Sequence, residues 1–467
     1  MSFNTRFMLA LLLALSTELT AAELTLPLPQ NTAQIAIKYR QQHDQFDHNA
    51  NTLFTPASTM KLLTAVAATA SLGHDFRYQT QVLSLQPPKN GVITSDVYIV
   101  FSGDPSLTST DIQALLAKLE QRGVNRITGD IYLVGQGSTL LHAPGTVWDD
   151  LGICYAAPVS SFIINKNCFK AQWAPKRTEP NGSLTLQSSQ PVSIKSNAVF
   201  DSTLQQPFCD LTLTRLRHNQ FTLEGCYPGS QALTLNIAIT DPARFAQDKL
   251  TQMIEQSEIK LTGQVKLSSH SPAHLQRLAL HQSAPLTALI NTMLLTSDNL
   301  IADSLLKRLG QQIYGAPGTF TKGSAAMTLI LSQLGIDMSD ANIVDGSGLS
   351  RYNLLSANHI ADVLALVKHD PAYHNVLNSL PIAGETGTLR YKKGYTKSPL
   401  KGHVLAKTGS MSGVSNIAGF IKQAGKITAS FVILQNGVSP QSSGSEPLSM
   451  DVLLLQQYLG QPPLLSH

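Results

Sequence analysis

A serine and a lysine placed one helical turn apart are the first candidates for chemistry in this sequence. Ser58 and Lys61 are the ends of an S-x-x-K run, and apolar residues recur behind them at helical spacing. On a helix both side chains lie on one face, where a desolvated amine near other cations can take a proton from a hydroxyl. The pattern predicts a nucleophile beside its general base, although Ser398 and Lys401 repeat it without an apolar helix.

A second candidate is the S-D-N run at residues 297–299, which places the hydroxyl of Ser297 and the amide of Asn299 close together. Taken alone, the run is equally typical of a helix cap. Residues 356–358 also fit the S-x-N pattern. The run indicates a catalytic site only because it lies between two other motifs in the sequence.

The third candidate is a K-T-G-S run that begins at Lys407 and follows apolar residues typical of a strand. The lysine can attract a carboxylate, Thr408 and Ser410 can hydrogen-bond it, and Gly409 leaves room for a substrate against the strand. No second K-T-G run occurs in the chain. The alternative interpretation is an ordinary edge strand that ends in a turn.

Hydrophobic periodicity indicates the elements that position these motifs. Residues 34–40 alternate as a half-buried strand, and Pro56 followed by an apolar stripe predicts a helix with Ser58 in its first turn. Residues 76–267 are typical of short strands separated by turns, with one helix at 110–121. Toward the C-terminus the pattern predicts helices at 285–309, 357–367 and 450–459, and strands within 404–435. We expect the last helix to pack on a sheet rather than on a membrane.

The composition is that of a globular protein with more than one folding unit. The chain has 467 residues, of which 43% are hydrophobic and 14% charged, so long disorder is excluded. Its formal net charge of +4 is compatible with an acidic polymer or an anionic membrane surface, but an excess this small usually serves solubility. We expect no nucleic-acid partner and at most peripheral contact with a membrane.

The N-terminus is typical of a signal peptide for export. Arg6 precedes an apolar run at residues 7–15, and small residues follow at 20–22. The run is about half of the roughly 20 apolar residues that a transmembrane helix needs. We predict cleavage near Ala22 and a periplasmic location.

Four cysteines are expected to form two disulfides in an oxidising compartment. Cys154 and Cys168 lie about 14 residues apart, and Cys209 and Cys226 about 17, so local pairs are natural, but all three connectivities stay open. The chain has no C-x-x-C pair and no H-E-x-x-H run, so we predict no metal and no cofactor.

The order of the three motifs resembles that of the penicillin-binding proteins and class A β-lactamases. Residues 55–64, 345–351 and 387–389 also resemble signatures of this family, and the resemblance covers nearly the whole mature chain. About 240 residues separate Ser58 from Ser297. This spacing is similar to that of class C D-alanyl-D-alanine carboxypeptidases/endopeptidases, which carry a large insertion there, whereas β-lactamases lack it.

The resemblance implies a mixed α/β fold: a transpeptidase-like domain with a five-stranded antiparallel sheet and helices, interrupted by a large β-rich insertion. We expect the signal peptide at 1–22, the peptidase domain at 23–75 and 280–467, and the inserted region, in two subdomains, at 76–279. The implied substrates are the stem peptides and cross-bridges of peptidoglycan. Penicillins, which mimic D-Ala-D-Ala, are the implied inhibitors.

The resemblance also implies a role for each motif residue. Ser58 attacks the D-Ala-D-Ala carbonyl to form an acyl-enzyme, with Lys61 as its general base. Ser297 relays a proton to the leaving D-alanine, helped by the charge of Lys407, and Asn299 holds a backbone amide of the substrate. Water then hydrolyses the ester.

The same resemblance implies the groups that bind the substrate. Thr408 and Ser410 hold its terminal carboxylate, and the N–H groups of Ser58 and Ser410 form the oxyanion hole. A zwitterionic third stem residue needs one acidic and one basic partner, for which Asp150 and Arg351 are the candidates. Either of these two residues could instead belong to a surface ion pair.

Other functions agree less well with the sequence. A silent wall-binding or scaffold protein would usually show substitutions at the nucleophile or base, and none is seen. The long insertion and paired cysteines argue against an S-x-x-K esterase or β-lactamase. Residues 345–348 lack the first glycine of a nucleophile elbow and are interpreted as a turn near the site. Carboxypeptidase and endopeptidase activity use the same bond, so the sequence leaves both open.

Overall fold

Twenty-nine helices and strands form the described part of the protein. A computed structural model describes residues 34–41, 44–136, 140–175, 182–203, 208–438 and 448–460, so the predicted signal peptide at 1–22 lies outside the described residues. The strands are β1 Gln34–Gln41, β2 Asp44–His48, β3 Gln79–Ser84, β4 Val92–Ile93, β5 Val97–Phe101, β6 Arg126–Ile127, β7 Ile131–Gly135, β8 Cys168–Ala174, β9 Ser183–Leu186, β10 Ser193–Ser196, β11 Val199–Phe200, β12 Leu211–Arg215, β13 Gln220–Tyr227, β14 Leu233–Ala238, β15 Lys260–Leu261, β16 Val265–Ser268, β17 Gln276–Gln282, β18 Val404–Met411, β19 Val414–Gln423 and β20 Lys426–Asn436. The helices are α1 Met60–Leu72, α2 Ser109–Gln121, α3 Pro242–Glu255, α4 Leu286–Thr296, α5 Asn299–Tyr314, α6 Phe320–Gln333, α7 Ala357–His369, α8 His374–Asn378 and α9 Met450–Gly460.

Short 3-10 turns connect several of these elements. They are Ala57–Thr59, Trp148–Gly152, Cys154–Ala156, Asn165–Asn167, Pro371–Tyr373 and Gly387–Leu389. Two of them, at 57–59 and 387–389, lie within segments that carry sequence motifs.

The two ends of the described chain meet in one five-stranded antiparallel sheet. Its order is β18-β19-β20-β1-β2, and β1 pairs with β20 from Gln34 opposite Asn436 to Arg40 opposite Ser430. The strand predicted at 34–40 is therefore present, and the predicted five-stranded antiparallel sheet is confirmed. The expectation that this strand is half-buried was wrong, because β1 lies inside the sheet and residues 35–39 are all buried. The K-T-G-S run lies on β18, at one edge of this sheet.

Helix α1 is the buried centre of the part of the protein that carries the motifs. Its residues from Met60 to Thr69 are all buried, as expected for a helix that is apolar on every side. Leu63 and Val66 belong to a hydrophobic cluster that also includes Leu305 of α5 and Val432 of β20. Truncating such a leucine to alanine costs about 2–5 kcal/mol of stability. This packing holds the first turn of α1, and the serine before it, in a fixed position.

Residues 79–282 contain four further sheets. The largest has the order β16-β7-β5-β3-β17, a second is β15-β6-β4, a third is β14-β8-β9, and in the fourth β13 pairs with β10, β11 and β12. Most of their buried apolar residues, from Val82 to Ala279, form a second hydrophobic cluster, and Trp173, Ala198 and Leu223 form a small separate one. Helix α2 confirms the helix predicted at 110–121.

The prediction of a single helix in this middle region was wrong, because α3 is also present. Asp241 accepts a hydrogen bond from the N–H of Arg244 and caps the helix, and Pro242 occupies its first position. Phe245, Leu250 and other apolar residues form its buried stripe. Charged and amide residues alternate with this stripe, which concealed the 3.6-residue period among neighbouring strands.

Two differences concern the helices on the C-terminal side. The continuous helical stretch predicted at 285–309 is divided at Ser297, whose left-handed backbone (φ 59°, ψ 40°) ends α4. Asp298 then caps α5 by accepting from the N–H of Ile301. Helix α6, at 320–333, is absent from the sequence predictions, whereas α7 and the strands within 404–435 agree with them.

The disulfides join neighbouring cysteines, Cys154 with Cys168 and Cys209 with Cys226, which selects the local connectivity. Helix α9 packs on the main sheet as predicted, because Tyr458 stacks on Tyr39 of β1 with ring centroids 4.0 Å apart. Among the described helices, none has the length and apolar character needed to cross a membrane.

Candidate active site

Ser58 lies in the 3-10 turn directly before α1, one turn earlier than the sequence pattern predicted. Ala57 has a left-handed φ of 47°, and the hydroxyl of Thr59 donates to the carbonyl of Pro56 at 2.7 Å. These features fix the turn that carries Ser58, which is half-buried while its neighbours are buried. The serine therefore sits at the positive end of the α1 dipole and still reaches solvent.

Lys61 is fully buried and its amine joins three segments of the chain. Its Nζ donates to Oγ of Ser58 at 2.8 Å, to Oδ1 of Asn299 at 2.6 Å and to the carbonyl of Ser347 at 2.6 Å. Burial lowers the pKa of Lys61 to about 8, against the opposing effect of the carboxyls of Asp303 and Asp345. An amine with this pKa is a competent proton acceptor near neutral pH.

Two buried carboxyls lie beneath this lysine. Oδ1 of Asp303 accepts from the N–H groups of Gly346 and Ser347, each at 2.9 Å, and Asp345 accepts from the N–H of Gly348 at 2.7 Å. Burial raises the pKa of Asp303 to about 8, and the nearby Asp345 adds to this shift. These contacts hold residues 345–348 against Lys61, so the turn predicted near the site is present there.

Asp303 is a site residue that the sequence analysis missed. It lies one helical turn after Asn299, and Ala302 and Leu305 beside it are fully buried. A carboxylate on the apolar face of a predicted helix, one turn from a motif, was the signal that could have found it.

A second serine–lysine pair joins the other two motifs. Lys407 is fully buried on β18, and its Nζ donates to Oγ of Ser297 at 2.9 Å and to the carbonyl of Thr408 at 2.8 Å. Burial lowers the pKa of Lys407 well below its ordinary value, and repulsion from Lys61 adds to this shift. The junction of α4 and α5 thus presents Ser297 to the edge strand.

The edge strand β18 packs directly on the turn of Ser58. A Cβ atom at Gly409 would lie 2.8 Å from the carbonyl oxygen of Pro56 and 3.0 Å from the backbone nitrogen of Ser58. Only glycine allows this approach. The sequence analysis expected Gly409 to leave room for a substrate, whereas the close contact in the structure is with the backbone before Ser58. The hydroxyls of Thr388 and Thr408 lie 2.9 Å apart at the same edge.

The middle region contacts the S-D-N run on two sides. Nδ2 of Asn299 donates to the backbone carbonyl of Tyr155 at 2.9 Å. Nζ of Lys166 donates to Oδ2 of Asp298 at 2.6 Å, and the acidic side chain is largely shielded from solvent. The amide of Asn299 therefore bridges the amine of Lys61 and a backbone group of the middle region.

Asp150 and Arg351 each hydrogen-bond to a residue that neighbours a motif. Half-buried Asp150 belongs to the 3-10 turn at 148–152 and accepts a hydrogen bond from the hydroxyl of Tyr155. Exposed Arg351 donates from Nη2 to the carbonyl of Ser412 at 3.0 Å, two residues beyond the K-T-G-S run.

The S-x-x-K match at Ser398 and Lys401 lies outside this constellation. Ser398 and Lys401 are exposed and lie in a segment of turns rather than at the start of a helix. Among the described residues, no group of three or more His, Cys, Asp or Glu side chains is arranged to hold a metal ion.

The antiparallel sheet, the buried helix α1 and the meeting of S-x-x-K, S-D-N and K-T-G at one place define a serine hydrolase of the penicillin-binding type. The family model described as the D-Ala-D-Ala carboxypeptidase 3 (S13) family matches residues 17–457. The chain belongs to this family.

Curated relatives and solved structures agree with this membership. The chain is 32% identical over 440 residues to D-alanyl-D-alanine carboxypeptidase DacB of Haemophilus influenzae, covering 93% of this chain and 92% of that protein. It is 29% identical over 425 residues to a D-alanyl-D-alanine carboxypeptidase of Actinomadura sp., covering 87% and 77%. The crystal structure of penicillin binding protein 4 from Haemophilus influenzae matches with a TM-score of 0.84 at 31% identity, covering 91% of this chain and 95% of that one.

These findings confirm the family, the mixed α/β fold class and the activity class predicted from the sequence, a serine-type D-Ala-D-Ala carboxypeptidase. The same Haemophilus influenzae protein has also been solved in complex with a β-lactam, and that structure matches with a TM-score of 0.82.

Proposed function

We propose that the protein hydrolyses the D-Ala-D-Ala bond of peptidoglycan stem peptides through an acyl-enzyme on Ser58. The observation that carries this proposal is the contact of 2.8 Å between the buried amine of Lys61 and Oγ of Ser58. Neutral Lys61 takes the proton of Ser58 as Oγ attacks the peptide carbonyl and forms a new C–O bond. The tetrahedral oxyanion that results is stabilised by the N–H groups of Ser58 and Ser410.

Collapse of this intermediate breaks the C–N bond and releases D-alanine, which needs a proton on its amine. Ser297 delivers this proton and takes up the one that Lys61 removed from Ser58, so that Lys61 is neutral again. The positive charge of Lys407, 2.9 Å from the hydroxyl of Ser297, assists this relay. Water then attacks the ester, Lys61 accepts a proton from that water, and Ser58 recovers its own. Every proton transfer in this cycle uses one of the two serine–lysine pairs.

The remaining motif residues bind the substrate. Asn299 binds Lys61 through Oδ1 and Tyr155 through one N–H of Nδ2, so its second N–H is the group that binds the backbone of the stem peptide. Thr408 and Ser410, on the edge strand, bind the terminal carboxylate together with the charge of Lys407. The contacts of Gly409 with the Ser58 turn keep this carboxylate site at a fixed distance from the nucleophile.

We assign recognition of the third stem residue to Asp150 and Arg351. Asp150 hydrogen-bonds to Tyr155, whose carbonyl contacts Asn299. Arg351 hydrogen-bonds to Ser412, two residues beyond the K-T-G-S run. A carboxylate and a guanidinium there match the ammonium and carboxylate of a zwitterionic side chain.

The proposal includes the division of the chain. Residues 23–75 and 280–467 form the peptidase domain and 76–279 the inserted region. Support comes from the two hydrophobic clusters. The first consists mainly of Ala36 to Tyr78 and Leu286 to Leu434, joined by Ala143, Val159 and Ile163 of the inserted region, and the second extends from Val82 to Ala279. Strand β17 continues to Gln282, so the second junction falls at the turn that follows it.

Export to the periplasm, the compartment of peptidoglycan, is the location we propose. The two disulfide pairs support it, because structural disulfides form and persist in oxidising compartments. The same bond occurs at a stem-peptide terminus and in D-alanyl cross-bridges, so both carboxypeptidase and endopeptidase activity belong to the proposal.

Intact mass after benzylpenicillin tests the nucleophile directly. We expect one adduct per wild-type molecule, mapped to the peptide that contains Ser58, and none on a Ser58→Ala variant. A Ser398→Ala variant, which removes the serine of the exposed S-x-x-K match at 398–401, is the control and should acylate like the wild type. Absence of an adduct on folded wild-type protein would contradict the proposal and favour a catalytically silent wall-binding protein.

A further inference from the structure

A loop closed by a disulfide reaches the S-D-N run from the middle region. We call residues 154–168 the disulfide loop, because Cys154 and Cys168 join its ends. The carbonyl of Tyr155, next to Cys154, accepts from Asn299, and Lys166, two residues before Cys168, donates to Asp298. The disulfide therefore lies one residue from the first contact with the motif and two residues from the second.

The loop is internally rigid. Three consecutive residues, Asn165, Lys166 and Asn167, have left-handed φ angles of 51°, 61° and 50°. Fully buried Asn167 holds this arrangement, since its Nδ2 donates to the carbonyls of Pro158 and Phe162 at 3.0 and 3.1 Å. Three left-handed residues in a row cost conformational energy and persist only where surrounding contacts enforce them.

A third contact fixes the middle of the loop to helix α5. Nζ of Lys307 donates to the carbonyl of Val159 at 2.7 Å and, outside the loop, to the carbonyl of Leu140 at 2.9 Å. Lys307 lies two turns beyond Asn299 on the same helix, so the loop contacts α5 at its cap, its first residue and its third turn. Such spacing restrains both the position and the rotation of the helix start.

The contact with Asn299 determines which end of its amide faces the catalytic lysine. Because Nδ2 is held by the Tyr155 carbonyl, Oδ1 is presented to Nζ of Lys61 at 2.6 Å. A rotation of this amide would place an N–H donor against the ammonium of Lys61. The loop thus acts on the base through Asn299, without itself touching the nucleophile in the described contacts.

We propose that the Cys154–Cys168 disulfide is a positioning device for the reaction, which holds the disulfide loop against Asp298 and Asn299. The proposal rests on the proposed function, because it assigns a purpose to the link only if Lys61 and Asn299 serve catalysis. A cross-link restricts local opening of the segment it closes, so losing it frees the two contact points to separate from the motif. The second disulfide, Cys209–Cys226, joins β13 to the residues before β12 and offers a matched comparison.

The test compares a Cys154→Ser/Cys168→Ser variant with a Cys209→Ser/Cys226→Ser variant of the same full-length protein. Stopped-flow acylation by a fluorescent penicillin separates the acylation rate constant from the non-covalent dissociation constant. We expect the first variant to acylate about tenfold more slowly, the effect of one lost hydrogen bond in the transition state, with little change in non-covalent affinity. The second variant should retain the wild-type rate constant even where its Tm falls as much.

Two further measurements keep the proposal testable if the first variant folds poorly. Reducing the remaining disulfide in folded Cys209→Ser/Cys226→Ser protein should slow acylation, and reoxidation should restore it. With both disulfides intact, Lys166→Met should slow acylation about threefold, a modest value because the lysine is partly exposed, while Lys166→Arg should not.

The proposal is overturned if both double variants lose the same fraction of the acylation rate, or if neither loses any. It is also overturned if Lys166→Met and reduction leave the rate constant unchanged. Failure of the proposed function would look different, since wild-type protein would then form no adduct on Ser58 at all.

Discussion

The site contains two serine–lysine pairs of nearly equal geometry and very different surroundings. Lys61 lies 2.8 Å from the hydroxyl of Ser58, and Lys407 lies 2.9 Å from that of Ser297. Both amines are fully buried. Among the described residues, carboxyls act on the lysine of the first pair only. Asp303 and its neighbours raise the pKa of Lys61 and so oppose the lowering caused by burial.

This difference in surroundings explains how a serine–lysine pair can serve as a proton acceptor in one place and as a positive charge in the other. Carboxyls stabilise the ammonium form of Lys61 enough to leave its pKa at about 8, where an amine both accepts and returns protons at physiological pH. Burial and repulsion from Lys61 both lower the pKa of Lys407. Its charge is therefore most stable when an anion such as a substrate carboxylate arrives.

The largest expected effect comes from removing the first amine. A Lys61→Met variant should acylate at least about 10³-fold more slowly with penicillin, because Ser58 then lacks its proton acceptor. Stopped-flow fluorescence measures the rate constant. A Lys401→Met variant, which changes the lysine of the exposed S-x-x-K match at 398–401, should behave like the wild type. A Lys61→Met enzyme that acylates within tenfold of the wild-type rate would contradict the assignment of the base.

Removing the second hydroxyl should have a smaller effect that depends on the leaving group. A Ser297→Ala variant should lose about 10²-fold in kcat/KM on D-Ala-D-Ala peptides, whose leaving amine needs a proton. On a thioester substrate, whose leaving group needs no proton, most of this loss should disappear. Lys61→Met should impair both substrates alike. An equal loss on both substrates for Ser297→Ala would remove the distinction between the two pairs.

The carboxyl beneath the first pair should set the pH dependence of acylation. Lys61 acts as a base only when neutral, so the wild-type rate should rise with pH through about 8. Asp303 favours the ammonium form, so Asp303→Asn should lower the pKa of Lys61 and move the midpoint to lower pH. Asp362→Asn, which removes a surface carboxyl paired with Arg40, should leave the profile unchanged. A midpoint that stays in place in Asp303→Asn would show that this carboxyl does not control the base.

The fold and the motifs could be predicted because their signals are local. Strand β1 alternates at period two, α1 carries apolar residues at helical spacing, and the order of three short runs placed them in one site before any geometry was known. The helix missed at 242–255 was also a local signal, obscured by polar residues between its apolar positions.

The features of the site that could not be predicted depend on contacts between residues distant in sequence. Nothing in the run around Asp303 shows that it accepts from the N–H groups of Gly346 and Ser347. The break at Ser297 requires a left-handed backbone, and the hydroxyl of this residue accepts a hydrogen bond from Lys407 of a distant strand. Cysteine spacing favoured local pairs, but their place beside the S-D-N run appears only once the two regions pack together.

The smallest expected effect concerns substrate choice rather than rate. An Asp150→Asn or Arg351→Gln variant keeps both serine–lysine pairs, so penicillin acylation should stay within about twofold of the wild type. Each should lower kcat/KM about tenfold for stem peptides with a zwitterionic third residue, because one charged partner is lost. Peptides with a neutral third residue are the control and should show no such loss. If the two peptides lose activity equally, the residues serve the local structure of the turns that carry them, and the zwitterion must be bound elsewhere.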